Sequence, residues 1–339
     1  MNSLHYLLHS GKSPKFVYYG LNYLRMAIPD GLYRMRLARL LDSVDSRPDA
    51  DYIHRRVDYC CKLSVDTSEE QRQAWAEQLQ PLADMQMTDQ KVYYFDTREY
   101  TRWFRKDLRL ALLPGDIVEV PDVPTIVKSR PLGDNANSVM LKLNKVRHFI
   151  YTNDSKPFTE KADKVIFRGK IGKPGSPMYK EKRYRFMQQY FGNPLCDLGE
   201  VQGRYANQEW VKEKMTISQH LDSKFIMALE GNDVASNLKW VMSSNALAVM
   251  PLPTCETWFM EGTLIPNYHY VEIKSDFSDL EERIQYYIDH PDEAQDIIDH
   301  AHEYVRQFQD KEREDLISLL VLQKYFECTN PLELLPSVR

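Results

Sequence analysis

From residue 162 onward the chain carries short apolar runs separated by helical patterns. The runs are Val165-Ile-Phe167, Pro194-Leu-Cys-Asp-Leu198, Phe225-Ile-Met-Ala-Leu229, Ala246-Leu-Ala-Val-Met250 and Tyr268 to Ile273. A strand buried on both faces reads as an unbroken apolar run, and parallel strands need long crossovers between them. With helical segments at 234–244 and 278–290 in the gaps, this spacing predicts a parallel sheet covered by helices on both faces. Two apolar stripes predict the closing helices. One is Leu280, Ile284, Tyr287 and Ile288; the other is Ala294, Ile298, Ala301, Val305 and Phe308.

The first half reads differently. Residues 1–85 are helical in pattern, with Tyr33, Leu37, Leu40 and Leu41 on one stripe and Arg36 and Arg39 on the far side. Residues 91–151 read as short strands and loops: Lys91 to Phe95, Asp116 to Val120 and Val146 to Tyr151, broken by Pro121, Pro124 and Pro131. A chain of 339 residues exceeds one hydrophobic core, so two domains are expected, dividing near residue 155. The expected segments are 1–155, a donor-type domain at 156–310, and a C-terminal helix and tail at 311–339 packing back on the first domain.

Charge is unevenly placed. The net charge is only -5, yet residues 1–41 hold six basic side chains (Lys12, Lys15, Arg25, Arg34, Arg36, Arg39) against Asp30. Residues 161–185 hold nine against Asp163 and Glu181, and the rest of the chain is acidic. That pattern predicts local contacts with anions, not a nucleic-acid binder, and the second cluster lacks interleaved stacking aromatics. The first cluster, on helices, suits an anionic membrane surface; equally, its apolar stripe can pack on its own domain with the arginines solvated. No apolar run approaches the roughly 18 residues of a spanning helix. The first ten residues lack the pattern of a cleaved secretion signal. Five cysteines form no disulfide or zinc framework, so a cytoplasmic setting, peripheral on the inner membrane, is expected.

Three stretches carry chemistry. In Leu229-Glu-Gly-Asn-Asp-Val-Ala-Ser-Asn-Leu-Lys-Trp240 a strand turns at Gly231 into a helix expected to begin near Val234. Free N–H groups there, with Ser236, Asn237 and Lys239, suit a phosphate; alternatively Asp233 caps the helix and Lys239 is solvated. Phe167-Arg-Gly-Lys-Ile-Gly-Lys-Pro-Gly-Ser176 combines glycines with cations, but neither as a Walker A loop nor as G-x-G-x-x-G. It reads as a phosphate cradle or as a flexible basic hairpin. Arg168 closes a buried strand, so a ligand or a carboxylate is expected to meet it. In Gly115 to Pro131, Asp116 and Asp122 flank a proline turn, with Lys128 and Arg130 behind; either aspartate suits a general base or a turn cap. Arg147 and His148 offer further polar contacts. Asp49-Ala-Asp51 has the D-x-D pattern of a metal site but lies in a proline-containing loop between helices, so no metal is expected.

Phe167-Arg-Gly169, Glu230-Gly-Asn232, Val234-Ala-Ser-Asn-Leu-Lys239 and Tyr268-His-Tyr-Val-Glu-Ile273 together resemble glycosyltransferase family 90. Pro124 to Pro131 and Arg147-His148-Phe149 are similar to its bacterial branch, the lipopolysaccharide core glycosyltransferases. The resemblance spans about residues 110–310. It implies a GT-B fold, two Rossmann-like α/β domains facing a cleft, with an inverting, metal-independent transfer and no cofactor beyond a UDP-sugar donor. It implies a hexose, glucose or galactose, moved onto a lipopolysaccharide inner-core oligosaccharide. Donor contacts would come from Arg168, Gly169, Lys170, Glu230, Gly231, Ser236, Asn237 and Lys239. Acceptor contacts would come from Lys128, Arg130, Arg147 and His148. Eukaryotic members carry an arginine where Asn237 stands, and their catalytic aspartate is matched only in part by Asp116 and by Asp122. The base is therefore Asp116 or Asp122, and the missing arginine leaves open a catalytically inactive sugar-nucleotide or glycan-binding scaffold.

Overall fold

A computed structural model describes Gly11 and residues 14–335. Lys12 and the first ten residues, on which the charge and secretion readings partly rest, lie outside the described residues. The chain forms two compact units. A helical unit comprises Lys15–Lys145, Cys255–Phe259 and the chain from Phe308 on; a sheet unit comprises Val146–Thr254 and Met260–Gln307, with Gly11 and Pro14.

The helical unit begins with α1 (Lys15–Met26), α2 (Asp30–Asp42), α3 (Ala50–Cys60), α4 (Glu69–Ala76) and α5 (Lys91–Thr101). Helix α4 starts as its sequence dictates: Ser68 accepts from the Gln71 N–H, and Glu69 and Glu70 fill the positive first turn. Helix α5 overturns the strand expected at Lys91 to Phe95. Its aromatic opening looks β-like, but Tyr93, Thr97, Tyr100 and Thr101 are buried at helical spacing, and that longer period decides the element. Asp116 to Val120 is loop rather than strand. Val146 to Tyr151 is not a strand either; a helical turn, α6 (Lys145–His148), begins it. The strands of this region lie elsewhere. β1 (Gln80–Pro81) pairs antiparallel with β2 (Arg109–Leu110). β3 (Leu112–Leu113), β4 (Thr125–Val127), β5 (Ser129–Pro131) and β6 (Ser138–Met140) follow. β3, β4 and β6 make a small parallel sheet with β4 central and fully buried.

The sheet unit contains β7 (Ala162–Gly169), α7 (Glu181–Tyr190), β8 (Cys196–Val201), β9 (Val211–Lys212), α8 (Ile217–His220), β10 (Ser223–Met227), α9 (Leu238–Met242) and β11 (Leu247–Met250). The next strand, β12 (Cys255–Thr257), belongs to the helical unit and pairs antiparallel with β5. β13 (Val271–Glu272), α10 (Leu280–Asp289) and α11 (Pro291–Arg306) complete the sheet unit. All six strands of its sheet are parallel, in the order β13-β11-β10-β7-β8-β9. Every residue of β10 is buried, and Phe225 packs edge-on to Phe158 within one core that also takes in Phe186, Leu247, Ile284 and Ile298. A Phe225→Ala change there would cost about 3–5 kcal/mol.

Helix α12 (Lys311–Thr329) closes the helical unit, packing on α3, α4 and α5. Its Glu314 is buried and accepts from Arg56 and from the indole of Trp258.

Strand order fixes where a ligand can go. From β7 the chain passes first to β8 on one side, and β10 is then laid on the other side of β7. The loops after β7 and β10 therefore diverge at the carboxyl edge of the sheet. Such a switch point is the crevice where open α/β sheets bind ligands.

Candidate active site

The loop after β7 is fastened at its start. Glu200, buried at the end of β8, accepts from the N–H groups of Ile171 (3.1 Å) and Gly172 (2.7 Å), and its other oxygen accepts from Asn207 N–H at 2.8 Å. Gly172 has φ +79°, and a Cβ there would sit 2.8 Å from the Met178 backbone, so only glycine fits the fold-back. Lys170 and Lys173 are exposed on this loop.

Arg183, in the first turn of α7, ties this loop to the one after β10. It donates to Lys170 O at 3.1 Å, to Leu229 O at 2.7 Å and to Glu230 O at 3.1 Å. A Cβ on Gly231 would stand 3.1 Å from its guanidinium, so that glycine makes room for it, whereas one on Gly169 would stand 2.6 Å from the Phe167 ring. Glu230 accepts from Thr254 N–H (2.7 Å), from Thr254 Oγ (2.8 Å) and from Lys182, while Lys180 donates to the Asn232 side chain. Gly169, Lys170, Glu230 and Gly231 are thus gathered at the switch point with Lys180, Lys182 and Arg183. Neither Arg183 nor Glu200 lies in a motif of the sequence. A polar residue at the end of a buried strand, as Glu200 is, was the signal available for one of them.

Other expected donor residues are placed differently. Arg168 meets the anticipated carboxylate, but within the chain: both oxygens of Asp197 accept from it at 2.9 and 3.0 Å. Burial raises the Asp197 carboxyl, yet hydrogen bonds from Lys212 and Arg168 outweigh it and hold the pKa below the usual carboxylate value. Lys161 is likewise spent on Asp154, so the 161–185 cluster is not one patch. The helix expected from Val234 starts only at Leu238, and Asp233 does not cap it. Residues 231–237 are bends and turns, and Asn237 turns inward to donate to Met227 O at 2.9 Å. Five residues of helix make no anion site at an N-terminus. Lys239 is 0% exposed and ion-paired with Glu261, itself buried, so its charge is balanced inside the unit rather than offered to a phosphate or to solvent. Ser236 is half-buried beside it in sequence.

In the helical unit, Asp116 is half-buried and paired with the buried Lys128. Ser129 Oγ accepts from Ile117 N–H and donates to Ile117 O, both at 3.1 Å, which locks the Asp116 loop onto β5. Asp122 is exposed on a loop tied by Asn137, whose amide donates to the Asp122 carbonyl at 2.9 Å. Arg130 corrects the expectation of an acceptor contact. It is 0% exposed, donating to Glu256 (2.8 Å), Ser138 O (3.1 Å) and Tyr59 O (2.8 Å), so no sugar can reach it. Lys128 is equally enclosed. Of the remaining pair, both in the sheet unit, Arg147 is exposed and His148 is buried. Asp49 accepts from Arg47 and Arg313 and Asp51 is exposed in the first turn of α3; among the described residues no cluster of three metal-ligating side chains forms.

A glycine-bearing cationic loop and an acid-bearing loop thus flank the switch point of a parallel sheet, the crevice in which open α/β sheets hold ligands. Residues 137–328, more than half of the chain, match glycosyl transferase family 90, and the chain belongs to that family of glycosyltransferases. It is 40% identical over 240 residues to the O-glucosyltransferase LpsA of Dichelobacter nodosus, covering 70% of this chain and 73% of that protein.

Proposed function

We propose that this glycosyltransferase moves a hexose, glucose or galactose, from a UDP-sugar to a hydroxyl of a lipopolysaccharide inner-core sugar. It would do so in a GT-B fold, with inversion at the anomeric carbon and without a metal. The acceptor oxygen attacks the anomeric carbon, the bond to the diphosphate breaks, and the hydroxyl proton passes to Asp116 or Asp122. The observation that carries the reading is the fastened, cationic loop at the switch point. Lys170 and Lys173 stand exposed there, joined through Arg183 to the Glu230 loop. Charge grows on the departing diphosphate in the transition state, so donors already held in place lower the barrier without reorganising. Glu230 suits hydroxyls of the nucleotide ribose. The glucosyl choice draws on the relative's name.

The test is UDP release from UDP-glucose and UDP-galactose with truncated lipopolysaccharide, alongside calorimetric titration with UDP. Acceptor-dependent release supports the proposal. Tight UDP binding with no release under any donor favours the scaffold reading, which the inward-turned Asn237 supports because no cation stands at that position.

A further inference from the structure

Helices α1 and α2 leave large apolar side chains outside in addition to those they pack inward, where Tyr19 and Tyr23 meet Phe95 and Tyr33 meets Trp103. Their inner sides are held by polar bonds: Tyr18 OH donates to the buried Asp96 at 2.6 Å, Arg102 donates to Arg25 O at 2.8 Å and lies 4.2 Å over the Tyr33 ring, and Asp30 accepts from Arg98 and Arg102. Other apolar side chains stand outside. Phe16 is 79% exposed, Leu24 70% and Met35 75%, with Leu21, Ile28 and Leu32 close to half exposed. α2 buries no residue fully and α1 buries only Asn22. The stripe of Tyr33, Leu37 and Leu40 is not this face. It is half-buried against its own unit, with Tyr33 edge-on to Trp103 at 5.0 Å.

Six large apolar side chains left this exposed on two successive helices point to an interaction surface. Its charge selects the occupant. Lys15, Arg34, Arg36 and Arg39 are exposed on the same two helices, whereas their one acid before Asp42, Asp30, is already neutralised, as is Arg25 by Glu99. A second copy of the chain meeting this face symmetrically would set arginines against arginines. No described helix is long and apolar enough to cross a bilayer. We propose that the outward faces of α1 and α2 insert shallowly into a bilayer leaflet rich in anionic lipid, the leucine, phenylalanine and methionine side chains entering the acyl boundary and the basic ones meeting phosphates. The inference stands independently of the sugar-transfer reading.

The full-length chain is sedimented with phosphatidylethanolamine–phosphatidylglycerol vesicles and with phosphatidylcholine vesicles, at low and high salt. Two variants accompany it: R34Q/R36Q/R39Q and L21S/L24S/M35S. The wild type is expected on the anionic vesicles, less so at high salt. At about fivefold per basic residue near the surface, the glutamine variant weakens by about 100-fold. The serine variant loses binding at every salt concentration while its urea unfolding midpoint stays at the wild-type value, because these side chains touch little in the fold. Wild-type protein left in the supernatant with anionic vesicles overturns the proposal. So does serine-variant binding equal to wild type. A wild-type dimer in solution that the serine variant dissociates overturns it too, assigning the face to a second copy.

Discussion

Replacing Arg183 with alanine would cut the tie between the two loops that diverge at the switch point. The guanidinium satisfies three backbone carbonyls, those of Lys170, Leu229 and Glu230. A hydrogen bond from a charged donor contributes about 1.5–3 kcal/mol, but these carbonyls are only partly buried and water recovers much of each loss. A net cost of about 3 kcal/mol is therefore expected, and it falls on loop order rather than on the core. UDP affinity should drop about 100-fold, since the ligand must then order both loops itself. Arg183→Lys should rescue little of it, because a single ammonium cannot fork across three carbonyls in two loops. Gly231→Ala, whose Cβ would press on the guanidinium at 3.1 Å, should give a milder defect of the same kind. Calorimetric titration with UDP measures the affinity and urea unfolding checks the core. Arg183→Ala protein that binds UDP within about threefold of wild type would refute the reasoning, since a loss of 3 kcal/mol corresponds to about 100-fold.

Lys239→Met should destabilise by about 3–5 kcal/mol by stranding the buried Glu261, and the double variant with Glu261→Met should return to near wild type or above it. Urea unfolding reads both, and UDP titration of the double variant should find affinity retained. Asp116→Asn and Asp122→Asn should separate: the variant lacking the base should lose about 100-fold or more in turnover with UDP affinity kept, the other little. Equal, small effects in steady-state UDP release would discard both aspartates. Asp96, fully buried, has its carboxyl pushed from 3.8 up to about 6, chiefly by burial. The folded state thus holds this proton more tightly than the unfolded chain. Its contribution is full below the unfolded pKa and is lost as pH rises through about 6. Between pH 4 and pH 7 the stability of wild type relative to Asp96→Asn should fall by about 2 kcal/mol, read from urea curves across that range.

Much of the sheet unit was legible because fully buried parallel strands announce themselves. The runs at 165–167, 225–229 and 246–250 are apolar throughout, since both faces of β7, β10 and β11 are covered there, and the stripes at 280–288 and 294–305 became α10 and α11, while Phe308 falls beyond α11 in the helical unit. The helical unit was less so. Lys91 to Phe95 is β-like locally and became helix only because its buried positions continue at helical spacing to Thr101. Its strands are two or three residues long, too short to carry a period of two.

The sequence by itself determined which residue types cluster: glycines with cations after one strand, glutamate and glycine after another, and cations beside apolar residues near the start. Tertiary structure decided which of those charges remain available. Arg130, Lys239 and Arg168 look alike in sequence to Lys170 or Lys173, yet the first three are committed to Glu256, Glu261 and Asp197 from distant segments. A buried charge must find its counter-ion within the fold, and that partner is set by strand order and packing rather than by neighbours along the chain. For the same reason the exposed faces of α1 and α2 emerged only once their inner sides were seen to be held by Asp96, Arg98 and Arg102.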